Sequence, residues 1–192
     1  MRGIGRWFAA TALLGSLSIP PGAGQTVPAN SARPATDNAA TSLSREIHHQ
    51  ILVLPFYSVF DSINFSLEGH KVTLTGQVLR RTLKENAEGT VKSIEGVNVV
   101  VNQIEVLPTS PADDDTRRAA YRALYEDSTL QRYAVQNVPP VHIIVKNGGV
   151  TLEGSVDSAA DKNLAGARAG SVPNTSGVKN NLVVHAKETA SQ

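Results

Sequence analysis

The sequence predicts an α+β fold made of two tandem copies of one αββαβ module, each a three-stranded sheet with two helices. Three observations carry this. Residues 72–106 and 150–184 align without a gap at a constant offset of 78, with 11 identities in 35 positions. In each copy, apolar residues alternate on both sides of a tight turn, as they do in hairpin strands. Apolar residues also recur at helical spacing before and after each hairpin.

The repeat constrains everything else, so its identities come first. Val72-Thr73-Leu74, Gly76 and Val78 meet Val150-Thr151-Leu152, Gly154 and Val156. Lys84, Ala87, Ser93, Val100, Asn102 and Val106 meet Lys162, Ala165, Ser171, Val178, Asn180 and Val184. In the first copy, Leu43, Ile47, Ile51 and Leu54 mark a helix that Pro55 stops. Ile63, Phe65 and Leu67 alternate, Gly69-His70 turns the chain, and 72–78 pairs back. Leu83, Ala87, Val91 and Ile94 form a second helical stripe, which Gly96 is expected to end. A single last strand is expected over 99–106. The second copy repeats the order. Tyr121, Leu124 and Tyr125 lie on its first helix, Val141, Ile143 and Val145 alternate, and Asn147-Gly148-Gly149 turns. Leu164 and Ala165 follow a cap at Asp157 or Ser158. Asn174-Thr175 replaces Gly96-Val97, which suggests a looser loop there. Two small cores are marginal alone, so the copies are expected to pack together.

The hairpin strand Val-Thr-Leu-x-Gly-x-Val, a helix, and then Val-x-Asn-x-Ile/Leu-x-Val resemble the BON domain of bacterial osmotic-shock and nodulation proteins. Here the elements are 72–78 with 100–106 and 150–156 with 178–184, and Val59-Phe60-Asp61 before the first strand also fits. The resemblance covers nearly everything after residue 42. It implies periplasmic modules that bind membranes or envelope proteins and do not catalyse.

The ends complete the organisation. Arg2 and Arg6 precede an apolar run over 7–19, and Gly22-Ala23-Gly24 offers small residues for cleavage near Gly24. Residues 1–24 therefore read as a secretory signal peptide, too short in its apolar part for a permanent span. Residues 25–41 read as a disordered linker, 42–107 as domain 1, 113–187 as domain 2 and 188–192 as a flexible tail. Removing 1–24 lowers Lys+Arg from 18 to 16 against 17 Asp+Glu, a net charge of −1. No nucleic-acid partner is expected from that balance. With no cysteine there is neither a disulfide framework nor a lipidated cysteine, and no later apolar run is long enough to span a bilayer.

Chemistry is sparse. His48, His49, His70, His142 and His185 lack metal-ligand spacing with acids. Asp113-Asp114-Asp115 lacks the glycine and spaced ligands of a calcium loop and suits the positive end of a helix. No catalytic residue, metal site or cofactor is expected, and no enzyme activity. Gly76 and Gly154 interrupt β-branched strands and are expected to let the following helix cross closely.

One surface stands out. Arg117, Arg118 and Arg122 gather on the second copy's first helix, with Arg132 beyond and tyrosines interleaved, and the apolar loop Val138-Pro139-Pro140 follows. Cations beside aromatics suit an anionic headgroup interface, although the neighbouring aspartates could neutralise them in place. The expected function is thus an exported, non-enzymatic envelope protein that binds anionic phospholipid surfaces and supports envelope integrity or the osmotic stress response. The alternative is a periplasmic chaperone-like or protein-binding module.

Overall fold

The computed structural model describes residues 33–136 and 138–185. The expected signal peptide, residues 25–32 of the expected linker and the 188–192 tail lie outside them. Helix α1 spans Arg33–Leu52, followed by β1 (Ser62–Glu68), β2 (Lys71–Val78), α2 (Arg81–Lys92), β3 (Val99–Asn102) and β4 (Glu105–Val106). The second module follows with α3 (Pro111–Tyr125), a 3₁₀ turn over Leu130–Val135, β5 (Val141–Lys146) and β6 (Gly149–Val156). It closes with α4 (Ala159–Gly170), β7 (Gly177–Asn180) and β8 (Val183–Val184).

Both sheets have one topology. β2 is central, antiparallel to β1 and parallel to β3 and β4. β6 is central in the same way between β5 and the β7 and β8 segments. Ile63 opposes Gly76 and Val141 opposes Gly154, so the offset of 78 extends across the hairpins.

The identities of the repeat now have physical reasons. Val72, Leu74 and Val78 point into the first core and are fully buried, as are Val150, Leu152 and Val156 in the second. Ala87 and Ala165 have no exposed surface where α2 and α4 lie on their sheets. Ser93 and Ser171 follow those helices and donate their hydroxyls to Thr90 O (2.7 Å) and Arg168 O (2.8 Å), carbonyls of the last turn that also accept the serines' backbone N–H groups. Asn102 donates its amide to Lys84 O at 3.0 Å and accepts from Ile104 N at 3.1 Å. Asn180 does the same with Lys162 O at 2.7 Å and Leu182 N at 3.3 Å. That side chain ties helix to sheet and takes a backbone donor out of the ladder. The single last strand expected over 99–106 is therefore broken into β3 and β4.

Other expectations need correcting. α1 begins at Arg33, inside the stretch read as a disordered linker, and alanines at 35, 39 and 40 favour that extension. α3 itself begins at Pro111, with Ser110 Oγ accepting from Asp113 N at 3.2 Å and proline in the first turn, ahead of the domain start expected at 113 without contradicting it. α2 ends at Lys92, with Ser93 as its cap, and Gly96 lies beyond it in the loop at φ 93°. The equivalent Asn174 takes φ 61°, so the second loop, read from the sequence as looser, also has a left-handed residue at this position.

The two conspicuous strand glycines do not make room for a helix. Gly76 and Gly154 have φ of 118° and 102°. A Cβ at Gly76 would lie 2.1 Å from Ser62 O, and one at Gly154 would lie 1.9 Å from Pro140 O. The obstacle is backbone of the neighbouring strand, and Pro140 O is held there by a 3.0 Å hydrogen bond from Ser155 N. Neither atom can rotate away as a side chain could. Gly154→Ala is therefore expected to lower unfolding free energy by about 2–4 kcal/mol, combining backbone strain with overpacking. Urea denaturation checks this, and an unchanged midpoint would contradict it.

Candidate functional site

The three aspartates that open α3 each have a separate task. Asp113 is buried, and its carboxylate accepts from Asn147 N (3.0 Å) and Gly148 N (2.8 Å), pinning the β5–β6 turn to the helix. Asp114 pairs with Arg117 at 2.5 Å, and Asp115 pairs with Arg118. Arg117 is only 3% exposed. Its Nη2 donates to Val145 O at 2.6 Å, while its Nε has no partner. The Arg117 charge thus sits inside the module. Arg118 and Arg122 are exposed, and both line a groove with the turn residues Asn147 and Gly148 and with Pro173 and Asn174.

The remaining residues of the expected surface lie elsewhere. Arg117 reaches the far end of β5, whereas Pro140 immediately precedes its start. Five residues of extended chain separate those ends by roughly 16 Å. Arg132 pairs with Asp161 at 2.5 Å and stacks over the Tyr133 ring, 4.9 Å from its centroid. Tyr133 is buried and donates to Asp161 at 2.9 Å, and buried Tyr125 donates to Val141 O at 2.5 Å. Both rings belong to the core; Tyr121 alone of the three is well exposed. Pro139 is buried, with Val138 and Pro140 half-buried, and the three line a cleft of about 360 Å³ against Ile51 and Leu52 of α1. The structure therefore splits the expected contact set. Arg118 and Arg122 stand at the hairpin-turn end of the second module, while Arg132 and the Val138-Pro139-Pro140 loop stand at the other end.

That cleft lies on the seam between the modules, and the seam is built by the loop after α1. Val59 is 7% exposed and belongs to the second module's core, and Val59 O accepts from Ile143 N at 2.8 Å. Phe60 meets Tyr121 with ring centroids 6.1 Å apart, and Tyr57 meets His142 at 5.6 Å. Asp61 holds the loop by accepting from Ser58 Oγ (2.6 Å) and Leu79 N (2.8 Å). Ser62 donates to Glu153 at 2.9 Å, and Lys146 pairs with Glu105 at 2.6 Å. The expected packing of the two copies is thus the insertion of Val59 and Phe60 against the second module's core, with polar contacts around it, while the two cores remain distinct.

A family model of the BON domain matches residues 58–108 and 113–186. The chain belongs to the BON domain family. The two matches contain the two sheets and leave all of α1 outside the BON pattern, although α1 supplies Ile47 and Ile51 to the first core. BON domains are in general non-catalytic and membrane- or envelope-associated. Comparison with curated proteins gave no match. Among solved structures, the chain is similar to CdsD, a structural protein of the type III secretion system of Chlamydia trachomatis. The identity is 14% and the TM-score 0.31, over 77% of this chain and 94% of that one. The C-terminal domain of the same protein gives 14% identity and a TM-score of 0.27, over 75% and 98% of the two chains.

Two features of these BON modules escape sequence reading. Leu52, Val53 and Phe56 are 38%, 57% and 67% exposed at the end of α1, with the Arg80 guanidinium 4.8 Å from the centroid of the Phe56 ring. Phe56 also holds φ 67°, an unfavourable conformation for an aromatic residue. The only sequence signal for it is its position after Pro55. His142 occupies an outward position of an alternating strand, which reads as solvated, yet the seam leaves it only 9% exposed.

Burial lowers the His142 pKa below the usual imidazole value, and the carbonyls of Asp61 and Ser58 and the charges of Asp61 and Glu153 offset this only in part. A depressed folded-state pKa means that the unfolded chain binds the proton first. The stabilising contribution is complete above pH ~6.5 and is lost as pH falls through the folded value. His142→Gln is therefore expected to flatten the loss of stability between pH 7.5 and 5.5 in urea titrations. A slope identical to that of the native chain would contradict this.

Proposed function

We propose that this chain is an exported, non-enzymatic periplasmic protein that binds the surface of anionic phospholipid membranes and supports envelope integrity under osmotic stress. The basic and apolar N-terminal run supports export, and membership of the BON family supports envelope association. Among the described residues no helix is long and apolar enough to cross a membrane, which suits peripheral attachment.

The observation that carries the reading is the exposed group Leu52, Val53 and Phe56 beside Arg80. An apolar cluster with a cation against its aromatic ring can place the ring among acyl chains and the guanidinium among phosphates. The left-handed backbone at Phe56 strengthens the case. A glycine would relieve that strain, so stability does not select phenylalanine there. Arg118, Arg122 and Arg132 enter the proposal as additional cationic points, whereas Arg117 is occupied within the fold.

Phe56→Gly separates stability from function. The variant should be as stable as the native chain or up to about 1 kcal/mol more stable, because its φ becomes unstrained. Its binding to phosphatidylglycerol-containing vesicles should weaken about tenfold, as expected for losing one buried phenyl group. Co-sedimentation at two salt concentrations measures this, and the native chain should bind less at the higher salt. Unchanged binding by the folded variant would remove this surface from the proposal. Salt-independent binding to neutral and anionic vesicles alike would contradict the anionic-headgroup reading, and no vesicle binding at either salt would favour the protein-binding alternative.

A further inference from the structure

The outer edges of the two sheets differ. In an antiparallel strand pair, every second residue turns its backbone N–H and C=O away from the partner strand. In β5 those residues are Val141, Ile143 and Val145, and each has a partner. Tyr125 Oη donates to Val141 O at 2.5 Å, Ile143 N donates to Val59 O at 2.8 Å, and Arg117 Nη2 donates to Val145 O at 2.6 Å. The shared register makes Ile63, Phe65 and Leu67 the corresponding residues of β1. The Tyr57 hydroxyl meets the backbone of Ile63. Among the described residues no hydrogen bond reaches the outward groups of Phe65 or Leu67. This edge also lacks the features that discourage pairing, since residues 62–67 contain no charge, proline or bulge.

We infer that the β1 edge binds an extended segment of another protein by strand addition, the segment having a neutral centre and a basic end. The chain shows the chemistry at the repeat-equivalent position. There the Val59 segment gives Ile143 N a carbonyl and gives the second core a valine side chain. A segment laid along Phe65 and Leu67 does the same for the first module, pairing its backbone with theirs and turning alternate side chains toward the core. Space for it exists beside the strand. Phe65 lines the seam cleft of about 360 Å³ together with Val138 and Pro139 of the second module. His48, Asn64 and Gln136 line it too, a mixture that suits a peptide's polar backbone and apolar side chains better than a hydrocarbon. No Lys, Arg, Asp or Glu lines the cleft, so the centre of the segment is neutral. Glu153 lies just beyond, accepting from the neutral side chains of Ser62 (2.9 Å) and Asn64 (3.4 Å) and forming no ion pair among the described residues, so it favours a cation at the segment's end. This site is separate from the membrane face at Phe56, and its test does not depend on that reading.

The probe is the capped peptide acetyl-Lys-Thr-Val-Ser-Val-Thr-Lys-amide, titrated into the full chain while amide hydrogen exchange is followed by NMR. Asn64 and Ser66, whose amides face β2, serve as references within the same strand. In the free chain the Phe65 and Leu67 amides should exchange at least about tenfold faster than these. Saturating peptide should slow Phe65 and Leu67 at least about tenfold and leave the references unchanged. N-methylation of the two valine amides removes the donors that reach Phe65 O and Leu67 O and keeps every side chain, so it should weaken binding at least about tenfold. Leu67→Pro deletes an N–H that bonds nothing in the sheet and should weaken the parent peptide about tenfold. If that variant fails to fold, the N-methylated peptide makes the same test on the native chain. The inference is overturned if Phe65 and Leu67 already exchange as slowly as the references, or if the peptide gives no saturable protection. It is also overturned if the N-methylated peptide binds as well as its parent. Protection that rises with protein concentration alone would give the edge to a second copy of this chain and overturn it likewise.

Discussion

The fold depends on one short loop doing two things at once. After α1 the chain delivers Val59 into the second module's core and its carbonyl to Ile143 N on the outer side of β5. The first contact removes apolar surface that a module of this size can hardly leave in water. The second covers part of an edge strand, which would otherwise present free backbone groups for pairing with other chains. Asp61 makes the delivery possible by binding Ser58 and Leu79 N, so the loop is held at both ends. The cleft, the buried His142 and the exposed end of α1 all follow from where this loop sits.

Duplication explains the scaffold, and divergence explains the surfaces. Positions that serve the backbone are kept between copies: Gly76 and Gly154 beside a neighbouring carbonyl, Asn102 and Asn180 bridging helix to sheet, Ser93 and Ser171 closing helices. The first helices share no such constraint and have diverged in charge. α3 carries three aspartates and three arginines, with Asp114 and Asp115 each satisfying an arginine three residues on. The seam needs different residues from the two copies, so Val59 and His142 have no reason to match their repeat partners.

Much of this was legible in the sequence because repeats and strand alternation are local signals. The two modules, the hairpins and the mutual packing were read from 72–78 and 150–156 with their flanks. What failed has a common cause, since contacts between distant residues leave no periodic trace. Arg117 reads as a surface cation until Val145 O is brought beneath it, 28 residues away in the chain. His142 alternates outward and becomes buried only when Tyr57 covers it. The strand glycines signalled a close approach correctly, but the approaching atom is a neighbouring carbonyl and not a helix. The split of Arg118 and Arg122 from the Val138-Pro139-Pro140 loop follows from the length of β5, which sequence proximity conceals.

The central claim is that the two modules form one unit through the Val59 loop, and the amide of Ile143 reports on it directly. That N–H points to the outer side of β5, away from β6, and meets Val59 O at 2.8 Å. If the modules are joined as described, its hydrogen exchange is slow and matches the slowest core amides of β6, because only global opening exposes it. Exchange at the rate of an uncovered edge strand, with β6 still protected, would contradict the account.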